Sequence, residues 1–506
     1  MAVGYATERR IAYMNDTPRY TRLRTRGGKV PLSTKLYQAI GALPDTYKNF
    51  AFGTLLLFYY NQVLGMAASL ASLAIMIALL VDAVTDPVVG SFSDNLKSKY
   101  GRRHPLMYVA ALPLGVTLFL TFVPPAGLSE TGLFLWLTTI AILVRISMTF
   151  YVVPWNAMFA EFSEDYVERS NIVTFRYLVG WVGGVALTFA TWTLIFPSTD
   201  AYTPGHLNPD AYKTFATVLG ITVTLAAFLT TALTHREIPY LLQPMHNTPK
   251  LTLKRVLAEV KLALKNRNFL IVFMFILVSS AITGVDGALE IYMHTYFWGL
   301  LPEDIRWLVL GIFGAFLAFV LVNMLQQRYD KKTLLLVCVA FMILNNVTLV
   351  SLRFAGVLPE NGAEWLLEIL VLNTILRVAA GTVAAIVGVS MFADILAQQE
   401  LNTGLRQEGV FGSAISFSGK ATSGLGVLIG GLILDFVISF PEGATPTELD
   451  PGLVWNLGLV AGICMPLLHF VPLYLITHYD ITRGGFEDIQ RQLFSRRAEV
   501  ATQDND

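Results

Sequence analysis

The chain has 506 residues, 54% of them hydrophobic and 14% charged, and its 36 lysines and arginines balance its 36 aspartates and glutamates. A soluble globular chain carries about 25% charged residues, so the deficit excludes an ordinary water-soluble domain and indicates a polytopic membrane protein. Zero net charge gives no reason to expect a nucleic-acid or acidic partner, and Cys338 and Cys464, both in apolar runs, show no metal-ligand spacing.

Residues 1–35 are polar and basic, without the apolar core of a cleavable signal, and read as an arm ahead of the first span, which then inserts as a signal anchor. Apolar stretches of about 20 residues follow, the length that crosses a bilayer as a helix. They are placed at 36–63, 66–93, 105–124, 131–159, 171–196, 214–234, 268–298, 304–327, 332–353, 365–397, 407–438 and 451–477. The fold class expected is therefore an all-α polytopic membrane protein of about twelve transmembrane helices. Lysine and arginine collect in alternate connections. The arm holds Arg9, Arg10, Arg19, Arg22, Arg24, Arg26, Lys29 and Lys35. Lys97, Lys99, Arg102 and Arg103 follow span two, and the tail holds Arg483, Arg491, Arg496 and Arg497. The intervening connections at 124–132 and 441–451 contain neither residue. The positive-inside rule then places both termini in the cytoplasm. Pro239, Pro244 and Pro249 lie in a basic linker, 235–267, whose stretch 250–267 reads as an amphipathic helix at the inner surface. The linker separates a six-helix bundle at 36–234 from a second at 268–477, and 478–506 is a cytoplasmic tail. The turns 90–103 and 323–333 occupy matching positions in the two halves, a weak internal repeat. Two such bundles with a site between them near the midplane is a common transporter plan.

Charges inside the spans carry the chemistry. Asp82 and Asp86 lie four residues apart in span two, on one helical face, with Thr85 between them and Pro87 just beyond. Two carboxylates that close in low dielectric repel unless a cation, a proton or a basic side chain joins them. Carboxylate and hydroxyl oxygens suit a hard cation such as Na⁺; a proton does the same electrical work. The plainer reading is a pair satisfied by neighbouring helices. Lys420, in the Gly/Ser-rich stretch 417–427 of span eleven, needs a counter-charge, and Asp82 and Asp86 are the candidates; the alternative is a permanent ion pair tying the halves together. Arg145 and Thr149 share a face of span four, ahead of Trp155 and Asn156. Arg176 enters span five, where it either clamps a substrate hydroxyl or carboxylate or bridges to Glu161, Glu164 and Asp165. In span seven Asp286, Glu290 and His294 recur every four residues near Tyr292, Tyr296 and Trp298, a polar stripe read as lining a substrate path or contacting a neighbouring helix. With no third ligand signal, the Glu290–His294 spacing is weak evidence for zinc. Arg377 and Asp394 in span ten and Asp435 in span eleven read as structural or gating pairs. No nucleophile–base pair, phosphate loop or metal signature marks an enzyme.

The stretch from Asp82 through Asp94, Arg102 and Arg103 to Leu106 resembles the signature of the glycoside–pentoside–hexuronide:cation symporters, the melibiose-permease-like branch of the major facilitator superfamily. Residues 153–177, and the blocks around Asp394, 404–410 and 417–421, are similar to that family's helix-four exit and helix-ten-to-eleven region. The resemblance implies two six-helix bundles with alternating access. It implies that Asp82 and Asp86 hold the coupling cation, that Thr149 supplies a helix-four hydroxyl to it, that Lys420 is coupled to it, and that Arg176 serves sugar recognition. Asp94, Arg102, Arg103 and Arg145, like Arg377 and Asp394, are expected in gating or structural roles. Two departures stand out. Val152 occupies a position where the melibiose permease has a sugar-binding aspartate, leaving Asp45, Lys48 and Asn49 as the polar groups of helix one. Thr85 replaces an asparagine associated with sodium use. The Val153–Asn156 segment is also similar to sodium-dependent lysophosphatidylcholine symporters of the same branch.

The function expected is cation-coupled symport, with Na⁺ or H⁺, of a sugar or glycoside. The candidate substrate contacts are Arg176, Trp155, Asn156, Asp45, Asn49, Asp286, Glu290 and Tyr292. A lysolipid carrier, or a non-transporting sensor or scaffold, are the alternatives. A monomer in a bacterial inner membrane, without a cofactor beyond the coupling cation, completes the expectation.

Overall fold

The computed structural model describes residues 20–21, 24, 26, 28–241, 243–244, 266–403 and 408–503. Arg9, Arg10, Arg19, Arg22, nearly all of the expected amphipathic helix at 250–267, and residues 404–407 of the span-ten-to-eleven block lie outside the described residues. Among the described residues, eleven helices are long and apolar enough to cross a membrane. They are α2 (Ala68–Asn95), α3 (His104–Thr121), α4 (Glu130–Glu161), α5 (Val167–Ile195), α6 (Pro209–Tyr240), α7 (Arg267–Phe297), α8 (Pro302–Arg328), α9 (Lys331–Phe354), α10 (Glu364–Asn402), α11 (apolar over Ser418–Ile438) and α12 (Pro451–Ile476). The twelfth, α1, spans residues 32–63 and is broken. Leu32–Ile40 ends at Gly41, Leu43–Phe50 restarts with Pro44 in its first turn, and the backbone widens at Ala51–Leu55 and Tyr59–Val63. A further helix, α13 (Arg483–Gln503), is polar.

Helices α5 and α6 start about five residues before the apolar stretches suggest, because polar caps extend them. The Asp165 carboxylate accepts from the Glu168 amide at 2.8 Å, and Asn208 Oδ1 from the Asp210 amide at 3.0 Å. Among the described residues, β1 (Tyr20–Thr21) departs from the all-helical expectation: it pairs antiparallel with β2 (Gln243–Pro244), tying the arm to the linker. Such a short pairing leaves no periodicity to read.

α2 packs on α4 and on α11, and α7 packs on α11. The α7–α11 seam is close because glycines face backbone across it: a methyl group on Gly426 would lie 2.0 Å from the Ala281 carbonyl oxygen. One apolar core runs through α1–α6 and continues into the ends of α7 and α11 remote from the termini, through Tyr292, Tyr296, Leu434 and Phe440. A second fills α7–α10 and α12 nearer the terminal end.

Cross-half hydrogen bonds gather at that remote, far end. Tyr292 donates to Asn61 Oδ1 at 2.8 Å and Tyr296 to Gln62 Oε1 at 2.9 Å. The wide turn at Tyr59–Val63 presents both amides. Asp435 on α11 accepts from the amides of Ala68 and Ser69, at 3.1 and 2.8 Å, so a carboxylate of one half caps a helix of the other. His206 Nε2 meets Thr295 Oγ1 at 2.9 Å, and Ser198 Oγ donates to Glu303 at 3.0 Å. At the terminal end, ion pairs brace each half internally. Arg102 and Arg103 share Glu161 at 2.7 and 3.0 Å, with Asp94 2.7 Å from Arg103. Lys331 donates to both Asp394 oxygens at 2.7 Å.

Candidate functional site

The α2–α4–α11 junction gathers the charges of the membrane interior. α2 continues through Pro87 to Asn95, so Asp82 and Asp86 remain on one face. Thr149 of α4 stands between them, its Oγ1 3.0 Å from Asp82 Oδ1 and 2.9 Å from Asp86 Oδ1. Lys420 of α11 reaches across from the other half. Its Nζ lies 3.1 Å from Asp82 Oδ2 and forms a shorter bond with Asp86 Oδ2. Arg145, buried against the Phe52 ring, is 3.6 Å from Asp82 Oδ2. Thr85 donates to the Asp82 carbonyl at 3.2 Å, and its hydroxyl is 3.5 Å from that of Thr149. Asp82 is 7% exposed, whereas Asp86 is 26% and Lys420 35% exposed. An ion arriving through water therefore meets Asp86 and Lys420 first.

These groups border a cavity of about 570 Å³ between the halves, lined also by Asp45, Lys48, Asn49, Gly53, Met148, Val152 and Asn156. Three acids, Asp45, Asp82 and Asp86, face three bases, Lys48, Arg145 and Lys420. Lys48 is 3.0 Å from Asp45 Oδ1, and Asn49 donates to the other oxygen at 3.2 Å. Charge is locally balanced, as a low-dielectric setting requires. Lys420 is shared between two carboxylates, so an added cation or proton competes with it for the same oxygens.

Arg176 does not reach Glu161, which Arg102 and Arg103 already hold. Its guanidinium bonds Asn156 Oδ1 and lies 3.7 Å from the centroid of the Trp155 ring, a cation–π arrangement. Trp155 is fixed in turn: its indole N–H donates to the Gln38 carbonyl at 2.9 Å, beside Gly41, where a methyl group would overlap the ring. Asn156 lines the cavity, so Arg176 and Trp155 act on it from behind.

The stripe on α7 is placed otherwise than a single shared path requires. Asp286 and Glu290 turn into a second cavity, about 400 Å³, enclosed by α7, α9, α10 and α12. Arg377 pairs with Glu290 there at 2.8 Å, and His294 Nε2 is 4.0 Å from Glu290. Tyr292 lines neither cavity; it is fully buried in the far-end seam. The divergence follows from the 100° step of the helix, which turns residue 292 away from the 286–290–294 face. Among the described residues, no group of three His, Cys, Asp or Glu side chains is arranged to hold a metal ion. The role of Arg145 beside Asp82 was the least visible in the sequence, although its i, i+4 spacing from Thr149 puts it on the same face.

Solved transporters share this architecture. A D-xylose–proton symporter superposes with a TM-score of 0.57 at 16% identity, over 87% of this chain and 97% of its own. The nucleoside transporter NupG does so with 0.57 at 14%, over 89% and 100%. These likenesses show the fold; with a family model for sugar transport proteins and eleven apolar helices beside them, the class is a multi-pass membrane transporter with the major-facilitator fold, not an enzyme. A family model described as MFS/sugar transport protein matches residues 37–483, and the chain belongs to that family. Curated relatives include an uncharacterized symporter of Synechocystis, 25% identical over 93% of this chain and 98% of its own. The isoprimeverose transporter of Lactiplantibacillus pentosus is 23% identical over 82% and 84%, and a glucuronide carrier protein homolog of Escherichia coli 25% over 90% and 94%.

Proposed function

We propose that this protein is a cation-coupled symporter that moves a neutral sugar or glycoside by alternating access between the bundles 36–234 and 268–477. The observation that carries the reading is the convergence of Lys420 from one half on Asp82, Asp86 and Thr149 of the other. With Lys420 and Arg145 in place the two carboxylates are balanced, and Lys420 joins the two halves without an ion. When Na⁺ or H⁺ takes the carboxylate oxygens, Lys420 is released, and the cross-half attachment changes with it. A site whose ion state alters the contact between the moving parts is what coupling requires. Substrate then occupies the cavity beside the pair, with Asn156, Asn49 and Asp45 as polar contacts and Trp155 and Arg176 shaping its wall. The sealed far end belongs to a state closed on the side away from the termini. The basic segments favour that side as external, and the bacterial relatives favour an inner membrane. Both halves that line the cavity belong to one chain, so the cycle proposed needs no second copy.

The test is gradient-driven uptake in proteoliposomes, with isoprimeverose and raffinose among the sugars and a Na⁺ or a pH gradient as the drive. Wild type accumulates a sugar with one of the two gradients. Asp86→Asn, still folded, loses accumulation. Undiminished uphill uptake by that variant sinks the proposal. A wild type silent to all sugars but stabilised by lysolipid moves the substrate to an amphipathic class.

A further inference from the structure

The second cavity is separated from the charged pair by the α7–α11 seam. Gly284 and Gly426 bring the two backbones so close that a methyl group on Gly284 would lie 2.4 Å from the Ser423 carbonyl oxygen. Lys420 and Ser423 of α11 look into the first cavity, while Asp286, Gly287 and Glu290 of α7 look into the second. The two carboxylate sets also differ in their partners. Asp82 and Asp86 are held by Thr149 and Lys420. Glu290 has Arg377 at 2.8 Å. Asp286, half-buried in the same membrane interior, receives no hydrogen bond from any described residue. An acceptor left open at that depth faces a cavity for a reason.

We propose that the cavity between α7, α9, α10 and α12 is a second binding site, and that its ligand is a neutral polyhydroxylated molecule, a sugar. The choice of sugar rests on the transport reading above. The chemistry of the wall supports it independently of the coupling ion. Glu290 already holds Arg377, and the Asp286 carboxyl beside them disfavours an anionic ligand. The Arg377 guanidinium on the same wall disfavours an organic cation. Asp286 accepts from adjacent hydroxyls, the remaining Arg377 N–H groups and Asn346 and Asn373 donate, and Trp298 and Phe275 supply apolar surface. A volume of about 400 Å³ falls within the range of small-molecule sites. Because α7 and α11 meet backbone to backbone, an occupant that shifts α7 shifts Lys420, so the site is placed to modulate the ion pair.

Two glycines allow a test that spares the fold. A Cβ atom placed at Gly287, which lines the second cavity, meets no atom within 4 Å, and neither does one at Gly53, which lines the first. Equilibrium binding of D-xylose, isoprimeverose and raffinose to the purified full-length protein is measured by calorimetry, with sodium glucuronate and choline as charged controls. Wild type binds a neutral sugar in two phases. Gly287→Leu removes one phase and Gly53→Leu the other, while Asp286→Asn weakens the phase lost in Gly287→Leu by at least tenfold. A single phase, lost in Gly53→Leu and indifferent to Gly287→Leu, overturns the proposal and leaves the symport reading untouched. So does sugar binding that Asp286→Asn does not change, the absence of sugar binding altogether, or glucuronate or choline binding that Gly287→Leu removes. Failure of the symport reading is seen elsewhere, in gradient-driven uptake, and a phase lost in Gly287→Leu stands without it.

Discussion

The far-end seam and the mid-membrane cluster both join the two halves, but with opposite chemistry. The seam is uncharged apart from Asp435 and Glu303. Tyrosine hydroxyls meet amide oxygens between Phe58, Phe440 and the tyrosine rings themselves, and its one capping carboxylate is satisfied by backbone amides. The cluster is made of full charges, Lys420 and Arg145 against Asp82 and Asp86, beside a cavity. Neutral hydrogen bonds contribute about 1 kcal/mol each and do not respond to ions. Charges in low dielectric hold tightly only while paired, so anything that changes the pairing changes the joint by several-fold more. The seam is suited to hold a state closed, and the cluster to sense what is bound.

That contrast is broken most severely at Asp86. Asp86→Asn removes one of the two carboxylates facing Lys420, and ion-driven accumulation falls to the level set by passive exchange; proteoliposome uptake under a gradient reads it. Lys420→Ala comes next. Asp82 keeps Arg145, Asp86 loses its base, and at this partly exposed site the loss costs about 1–3 kcal/mol of stability; thermal unfolding of the variant recovers on adding the coupling ion more than wild type gains. An ion response equal to that of wild type would show that the lysine and the ion do not share oxygens. Gly426→Val then tests whether α11 moves with α7. The overlap with Ala281 destabilises by about 1–3 kcal/mol, seen as a lower unfolding midpoint together with a changed ion response. Asp435→Ala removes a cross-half helix cap for about 1 kcal/mol, and here the comparison predicts no change in ion response. The smallest effect is that of Tyr292→Phe, which deletes one neutral bond to Asn61. It is expected to cost about 1 kcal/mol or less and to make a reporter cysteine at the far end several-fold easier to alkylate.

Much of the site was legible because membrane interiors tolerate so few charges. Asp82, Asp86 and Lys420 stand out in apolar runs, and the i, i+4 spacing already put the two acids on one face. Thr149 and Arg145 followed from the same periodicity on α4, although only their approach to Asp82 shows that both attend one carboxylate. Arg176 shows where sequence ran out. Glu161, Glu164 and Asp165 were the acids the sequence offered it, but Arg102 and Arg103 fold back from the α2–α3 turn onto Glu161, and Arg176 is left to stack on Trp155. Competition among partners is a property of packing, not of order along the chain. The stripe on α7 teaches the same point: a polar helical face announces that it avoids lipid but not which cavity it enters.

The sequence by itself determined the class of molecule, the number and rough position of its spans and the identity of its buried charges, because the cost of charge in hydrocarbon and the length needed to cross it are local constraints. Only packing shows that Lys420 meets Asp82 and Asp86 across the halves, that Asp435 caps α2, and that Asp286, which accepts no hydrogen bond from the described residues, opens onto a separate cavity. The first two depend on helices more than 300 residues apart in the chain being brought side by side, and no periodicity within a single helix encodes its neighbour.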